Sequence, residues 1–319
     1  MHLTLQQLRL FNAVARLGSY TRAAEQMNLT QPAVSIQVKR LEEQVGLPLF
    51  EQVGKRIFLT TAGKEMLNAS SDILGRVSEM EDTIADLQGK VKGPLLLSVV
   101  STTKYFLPHL LGEFLQQYPE VEPRLVFTDQ AAVLKRLNNN LDDFIVMGQV
   151  PENRDLEALP FLENILVVAA PPDHPLANKK NVSLAEFVKE RILVREPESV
   201  TRKAVERVLQ NHNLLIEPYM ELGSNEAIKQ AVMAGLGISV ISLRSLISEY
   251  HSKQLTILNV DEFPIRRRWY AVHLKSKKLS LVSRTFLEFI LANGEEIAKK
   301  TANFSSLDAL LKNHSAKNK

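Results

Sequence analysis

A chain of 319 residues is too long for one simple core and predicts two or three domains. Its composition is ordinarily globular, 45% hydrophobic and 24% charged, with no apolar run of bilayer length and no secretory leader pattern at the N-terminus, so it reads as cytoplasmic and free of membrane. The absence of cysteine excludes disulfide frameworks, thiolate metal sites and cysteine nucleophiles, and although the net charge is only +3, residues 1–64 carry eight basic side chains against four acidic ones, a balance that suits a phosphate-facing surface.

Leu5, Leu8, Phe11, Ala15 and Leu17 predict a first helix, ended by Gly18. Ser19 can cap a second, with Tyr20, Ala23, Ala24 and Met27 as its apolar stripe. A tight Asn28–Leu29 connection leads to a third helix, with Thr30 as N-cap and Pro32 in the first turn, where its missing N–H costs nothing. There Val34, Val38, Leu41 and Val45 share an inward face. The opposite face carries Pro32, Ser35, Ile36, Lys39 and Arg40, and an isoleucine in such company is odd for a solvated surface. Two short helices joined this closely form a helix-turn-helix, whose second helix enters the DNA major groove N-terminus first. On that reading Gln31 and Ser35 hydrogen-bond base edges or phosphates, Lys39 and Arg40 reach phosphates, and Ile36 touches thymine methyls. Periodicity alone also fits any small helical bundle with a polar surface.

The following GLPLFEQVGKRIFLTTAG predicts a strand–turn–strand, anchored by Leu49 and Phe50, turned at Gly54, and returning through Ile57, Phe58 and Leu59. Lys55 and Arg56 at its tip would lie against a phosphate backbone, making it a wing beside the helix-turn-helix. Taken together, AVARLGSYTRAAEQMNLTQPAVSIQVKRLEEQVGLPLFEQVGKRIFLTTAG (13–63) resembles, without interruption, the signature of LysR-type transcriptional regulators. The resemblance implies that Gln31, Pro32 and Ser35, with Thr30 at the head of their helix, meet DNA and that Lys55 and Arg56 contact its backbone. Ile36 and Gln52 stand where the family often has arginine, which implies altered base preference and salt dependence.

From Thr61 to Gln88 there is no proline, and Met66, Ile73, Val77, Met80, Ile84 and Leu87 recur at threes and fours, with Ser70 filling one heptad place. That is a coiled-coil seam, although a long helix can also pack on its own body. Pairing of heads on a palindromic site favours the seam, and the resemblance implies a homodimer or homotetramer on double-stranded promoter DNA, with RNA polymerase as a partner.

GKVKGP (89–94) marks a change of architecture. Apolar strands at 95–100, 124–128 and 144–148 alternate with helices near 104–117 and 130–139. A second set has strands at 165–170, 191–194, 219–222 and 238–242 with helices near 200–211 and 225–234, before a strand at 268–274 and a helix at 280–291. Such alternation predicts α/β sheets covered on both faces. The resemblance implies two lobes like those of type 2 periplasmic solute-binding proteins with an effector cleft between them. The expected layout is a winged helix-turn-helix over 1–60, a linker helix over 61–89, an effector domain over 90–294 and a tail over 295–319. Lobe I would span 95–163 and 266–294, and lobe II 164–265.

Strand-to-helix junctions attract anions through free N–H groups and the helix dipole. Three of them carry hydroxyls: Ser101, Thr102 and Thr103; Thr128; and Ser199 with Thr201, where Arg195 and Arg202 add charge that favours a phosphate or carboxylate. These hydroxyls also fit plain helix caps. The resemblance implies that Ser101, Thr102, Thr103 and the segment around Thr201 and Arg202 line the cleft. EEQVGLPLFEQVGKR, VREPESVTR, PIRRRWYAVHLKSKKLS and FLEFI look most like the subgroup that activates Calvin-cycle and RuBisCO operons, which implies phosphorylated sugars or nicotinamide nucleotides as signals, with no bound cofactor. A LysR regulator of another metabolic operon is the nearest alternative. An α/β enzyme has little support: the seven histidines show no HExxH or ligand cluster, no P-loop or GxSxG is present, and AGLGIS is a weak nucleotide fingerprint. A free solute-binding protein does not explain the basic head. In the tail, Leu307, Leu310 and Leu311 fit either a short docking helix or a polar disordered end.

Overall fold

The computed structural model describes residues 3–54, 56–87, 89–152 and 155–301, and the chain divides into two compact units that meet between Gly89 and Lys90. In the first unit, α1 (Leu5–Leu17) is started by a capping box between Thr4 and Gln7 and stopped by Gly18 in the left-handed region. The expected stripe on this helix needs correction. Leu5 is exposed and Ala15 and Leu17 are half-buried, whereas Leu8, Leu10, Phe11, Ala13 and Val14 are buried. The reason is that α1 is packed on two sides. Leu10, Ala13 and Val14 meet α2 (Tyr20–Gln26) and α3 (Gln31–Val45), while Leu8 and Phe11 pack with Leu41 and Leu49.

On α3 the inward residues Val34, Val38 and Leu41 are fully buried and Val45 is half-buried. Thr30 takes the extended N-cap conformation without a side-chain capping bond. Strands β1 (Phe50–Val53) and β2 (Arg56–Leu59) form an antiparallel hairpin, from Phe50 opposite Leu59 to Val53 opposite Arg56. The hairpin is tied to α3 by one side chain: Glu42 Oε1 accepts from the backbone N–H groups of Leu49 (2.7 Å) and Phe50 (3.1 Å).

Helix α4 (Thr61–Leu87) leaves the wing with its first turn pressed against Leu49. The Thr60 hydroxyl accepts from Gly63 N at 2.9 Å, and Thr60 N donates to the Leu49 carbonyl at 3.0 Å. A Cβ on Gly63 would lie 2.0 Å from that carbonyl oxygen, so only glycine fits. Two turns further, buried Ser70 donates to Asn12 Oδ1 of α1 at 2.6 Å.

The second unit is built on a nine-stranded mixed sheet with the order β4-β3-β5-β11-β6-β9-β7-β8 and β10 paired to β6. The first set is β3 (Gly93–Val100), α5 (Leu107–Gln117), β4 (Val121–Thr128), α6 (Gln130–Asn138) and β5 (Phe144–Met147). The second is α7 (Leu184–Phe187), β7 (Ile192–Val194), α8 (Val200–Asn211), β8 (Pro218–Glu221), α9 (Asn225–Met233), β9 (Ile238–Ser242), α10 (Leu243–His251) and β10 (Thr256–Leu258). Parallel pairings of β3 with β4 and β5, and of β7 with β8 and β9, give each set an α/β core. Each sheet half is covered on both faces. In lobe I, Leu97, Phe114, Phe144 and Phe286 fill one side and Val133, Ile145 and Met147 the other; in lobe II, Val168, Phe187 and Val205 oppose Ile165, Ile228 and Ile241.

Two strands run through both halves. Strand β6 (Leu156–Ala170) pairs antiparallel with β11 (Ile265–Leu274), with a bulge between Trp269 and Tyr270. The far end of β6 pairs β9 through Leu166–Ala169, and Tyr270–Val272 of β11 pair β5. Glu163 opposite Arg268 and Ile165 opposite Arg266 mark the crossing. These strands start earlier than the sequence pattern suggests, and α11 (Leu281–Thr301) runs past residue 294, where a tail was expected. Ala298 is buried there, with its carbonyl accepting from buried Arg244 at 3.1 Å. The leucines at 307, 310 and 311 lie outside the described residues. No described helix is long and apolar enough to cross a membrane.

Candidate functional site

Two surfaces concern function, one in each unit. On α3, Thr30, Gln31, Pro32, Lys39 and Arg40 are exposed and Ser35 is half-buried. Ile36 is 52% exposed, so the odd isoleucine is an outward-facing side chain and not part of the core. Arg56 is exposed at the wing, where the Gln52 amide donates to Gly54 O at 3.0 Å; Lys55 falls outside the described residues. The ridge thus offers cations, an amide, a hydroxyl and one apolar side chain along one helix, flanked by a hairpin. Such a set is able to contact phosphates and base edges together.

The α4 seam divides into two parts. Half-buried Met66 packs against its own head with Leu8, Phe11 and Leu49, and buried Ser70 donates to Asn12, so this end of the seam is already engaged within the head. Further along, Ile73, Met80 and Ile84 are exposed and Val77 is half-buried, forming an apolar stripe; the Leu87 side chain is outside the described set.

In the second unit a cavity of about 510 Å³ opens where the two strand sets meet the crossing strands. Ser101, Thr102, Thr128, Ser199 and Thr201 line it, from three different junctions. Two expected residues do not. Thr103 is fully buried and its hydroxyl donates to Val100 O at 2.8 Å, closing the short 3-10 turn Ser101–Tyr105. Arg202 is turned away, bonded to Glu206 and Glu221 at 2.8 Å each and to Arg195 O at 2.9 Å. Glu206 first, and then Glu221, hold its guanidinium above its ordinary pKa against the opposing effect of burial. Arg195 does reach the cavity, but Glu196 clasps it at two points, both 2.7 Å, and Asn225 takes a third N–H at 2.6 Å. Both arginines of VREPESVTR therefore arrive neutralised.

The uncompensated charge comes from elsewhere. Arg267 lines the cavity and donates to two backbone carbonyls, Val200 at 2.9 Å and Gly148 at 3.0 Å. No carboxylate pairs with it among the described residues, and burial, then the nearby Arg207, lowers its pKa. Trp269 and Gln130 line the same cavity, and among the described residues neither the buried indole N–H of the first nor the buried Oε1 of the second has a hydrogen-bond partner. Ser199, the N-cap of α8, makes no side-chain capping bond, so that helix presents free N–H groups to the same space. Asp129, Glu196 and Glu198 also line the cavity, so its wall mixes carboxylates with hydroxyls, two guanidinium groups and two spare polar atoms. Sequence reading missed Arg267, Trp269 and Gln130. Strand alternation was the available signal: in an extended RRRW, positions 267 and 269 share one face and 266 and 268 the other. Among the described residues no cluster of three or more histidine, aspartate or glutamate side chains could hold a metal.

A winged helix-turn-helix head on a long helix, followed by a two-lobed α/β body with a polar cleft, is the build of a ligand-responsive DNA-binding regulator. Residues 5–64 match the bacterial regulatory helix-turn-helix protein, lysR family, and residues 88–295 match the LysR substrate binding domain. The chain is 47% identical to the HTH-type transcriptional activator CmpR of Synechocystis, over 92% of this chain and 97% of the relative. It is 44% identical to the RuBisCO operon transcriptional regulator of Allochromatium vinosum, with the same coverage of 92% and 97%. Among solved structures, the regulatory domain of Synechocystis CcmR in complex with 2-PG aligns with a TM-score of 0.60 at 47% identity, covering 63% of this chain and 97% of that one. The chain belongs to the LysR family of bacterial transcriptional regulators.

Proposed function

We propose that this chain is a homo-oligomeric, cytoplasmic activator of carbon-dioxide-fixation genes. In this reading Gln31 and Ser35 face base edges, and Lys39, Arg40, Arg56 and Lys55 face phosphates, with Thr30 and Pro32 at the groove and Ile36 on thymine methyls. Ile73, Val77, Met80 and Ile84 pair the linker helices, so that two heads meet a palindromic site. RNA polymerase is the expected downstream partner. A small anion, a phosphorylated metabolite by preference, occupies the cleft between the Ser101–Thr102 turn and the Ser199–Thr201 helix start, with Arg267 as its counter-charge. Its tighter binding to one lobe arrangement shifts the oligomer's grip on DNA.

The single observation that carries this reading is the Arg267 guanidinium, held by two carbonyls at the wall of a hydroxyl-lined cavity. Identity to CmpR and to a RuBisCO operon regulator across nearly the whole chain supports the choice of target genes. The test is footprinting on a carboxylase-operon promoter with and without 2-PG, using the wild type and Thr102→Ala. The expected result is a salt-sensitive footprint whose extent changes with 2-PG in the wild type and responds less in the variant. A full response from the variant refutes the placement of the site, and a footprint confined to unrelated promoters refutes the target.

A further inference from the structure

Beyond the cleft, a separate pocket of about 180 Å³ lies beside α8 and is walled by Lys203, Arg207, Val208, Gln149, Ile265 and Arg267. No carboxylate lines it. Lys203 and Arg207 are one helical turn apart on α8, an arrangement in which like charges repel and destabilise a helix. Two neighbouring arginines are neutralised: Arg202 by Glu206 and Glu221, and Arg195 by Glu196. Among the described residues neither Lys203 nor Arg207 makes an ion pair, and the third wall is a guanidinium whose partners are carbonyls. Arg207 is close enough to Arg267 to help depress its pKa, after burial. Three cations converge on one small space with apolar Val208 and Ile265 as its floor, and an oxyanion is the group that would neutralise all three.

We propose that Lys203, Arg207 and Arg267 form a second oxyanion site, distinct from the cleft, that takes a phosphoryl-type dianion. Its walls belong to different parts of the fold: Gln149 follows β5 of lobe I, Lys203 and Arg207 stand on α8 of lobe II, and Arg267 lies on the crossing strand. An anion bound there ties the two lobes together, so the site biases the lobe arrangement independently of the cleft. Free phosphate and a phosphoryl group of a cleft-bound molecule share this chemistry, and Arg267 borders both spaces.

The experiment titrates the full chain with inorganic phosphate against chloride at matched ionic strength, by calorimetry and thermal unfolding. The wild type, Lys203→Ala/Arg207→Ala and Ser199→Ala/Thr201→Ala are compared. The expected result is phosphate binding beyond the chloride effect, weakened about tenfold or more in the first variant and retained in the second. Repeating the titration with 2-PG present separates the two sources. A retained phosphate response marks free phosphate as the occupant, whereas loss of that response, with weaker 2-PG binding by Lys203→Ala/Arg207→Ala, marks a phosphoryl group reaching over from the cleft. Phosphate no better than chloride, or a response lost in the cleft variant and intact in Lys203→Ala/Arg207→Ala, overturns the proposal. Failure of 2-PG to bind at all would count against the cleft reading and leave the phosphate comparison standing.

Discussion

Replacing Arg267 with methionine separates what the guanidinium does for the empty fold from what it does for a bound anion. In the empty protein its two carbonyl bonds, at 2.9 and 3.0 Å, are each worth about 1.5–3 kcal/mol as charged hydrogen bonds. Against them stand several kcal/mol of desolvation for a half-buried cation and repulsion from Arg207. The opposing contributions are of similar size, and methionine keeps most of the aliphatic stem, so stability without ligand should change by no more than about 1–2 kcal/mol. The anion, by contrast, loses the guanidinium of the cleft wall that no carboxylate pairs among the described residues, which should weaken binding by about 2–3 kcal/mol, or roughly 30- to 150-fold. Thermal unfolding with and without 2-PG reads both. At a concentration of about 100 times the wild-type Kd, 2-PG should stabilise the wild type by about 2.7 kcal/mol and the variant by no more than about 0.9 kcal/mol. An affinity for 2-PG within about threefold of wild type would refute the reasoning, as would a loss of more than about 3 kcal/mol in the empty variant, which would make Arg267 a structural pin.

Ile36→Arg, at a half-exposed position on α3, should leave stability within about 0.5 kcal/mol of wild type and add one phosphate contact. Anisotropy titrations at several salt concentrations should then show the log K against log salt slope steepening by about 0.9. Gly63→Ala puts a Cβ 2.0 Å from the Leu49 carbonyl oxygen, so the wing and the start of α4 must part; overpacking of about 1–3 kcal/mol predicts hydrogen exchange at wing amides faster by roughly 5- to 150-fold. Met80→Asp places a charge in the exposed stripe of α4 and should shift sedimentation towards monomer at micromolar concentration. Asp143 has its carboxyl pKa raised, chiefly by burial, even though Leu96 N donates to it at 2.7 Å. Because the folded protein then holds the proton more tightly than the unfolded chain, this group's contribution is greatest below the unfolded pKa of about 3.9 and is lost as pH rises through the folded value. Asp143→Asn, which keeps an acceptor for Leu96 N, should flatten that part of a stability-against-pH curve; an unchanged curve would count against the assignment.

The recognition helix was legible because it is one-sided: Val34, Val38 and Leu41 face a single core, so periodicity and burial agree. Helix α1 was not, since Leu10 and Val14 face one cluster while Leu8 and Phe11 face another, and a single stripe cannot describe a helix with two buried faces. The same limit affected β6. Its lobe II half, ILVVAA, is a continuous apolar run, but LEALPFLEN belongs to the other lobe, carries Pro160 and two glutamates, and reads as loop. In the cleft, hydroxyls next to helix starts were found because capping chemistry and anion binding use the same positions. Charge was misassigned for a related reason. Arg195 and Arg202 sit at such a junction, yet Glu196 directly follows one and Glu206 lies one turn beyond the other, so each has a partner in the sequence itself. Arg267 has none, and its importance depends on a strand phase that a triple arginine conceals.

The root of α4 is held to its head by contacts with almost no slack: Gly63 seated on the Leu49 carbonyl, Ser70 bonded to Asn12, and Met66 sunk among Leu8 and Phe11. Close-packed interiors yield little before they rearrange. Head and helix therefore make one rigid lever, with a stem of 27 residues, about 40 Å at 1.5 Å per residue. Under the proposed placement of Gln31 and Ser35 on base edges, a small roll of that stem turns them with it, and sequence selectivity becomes sensitive to torque applied a long way from the bases.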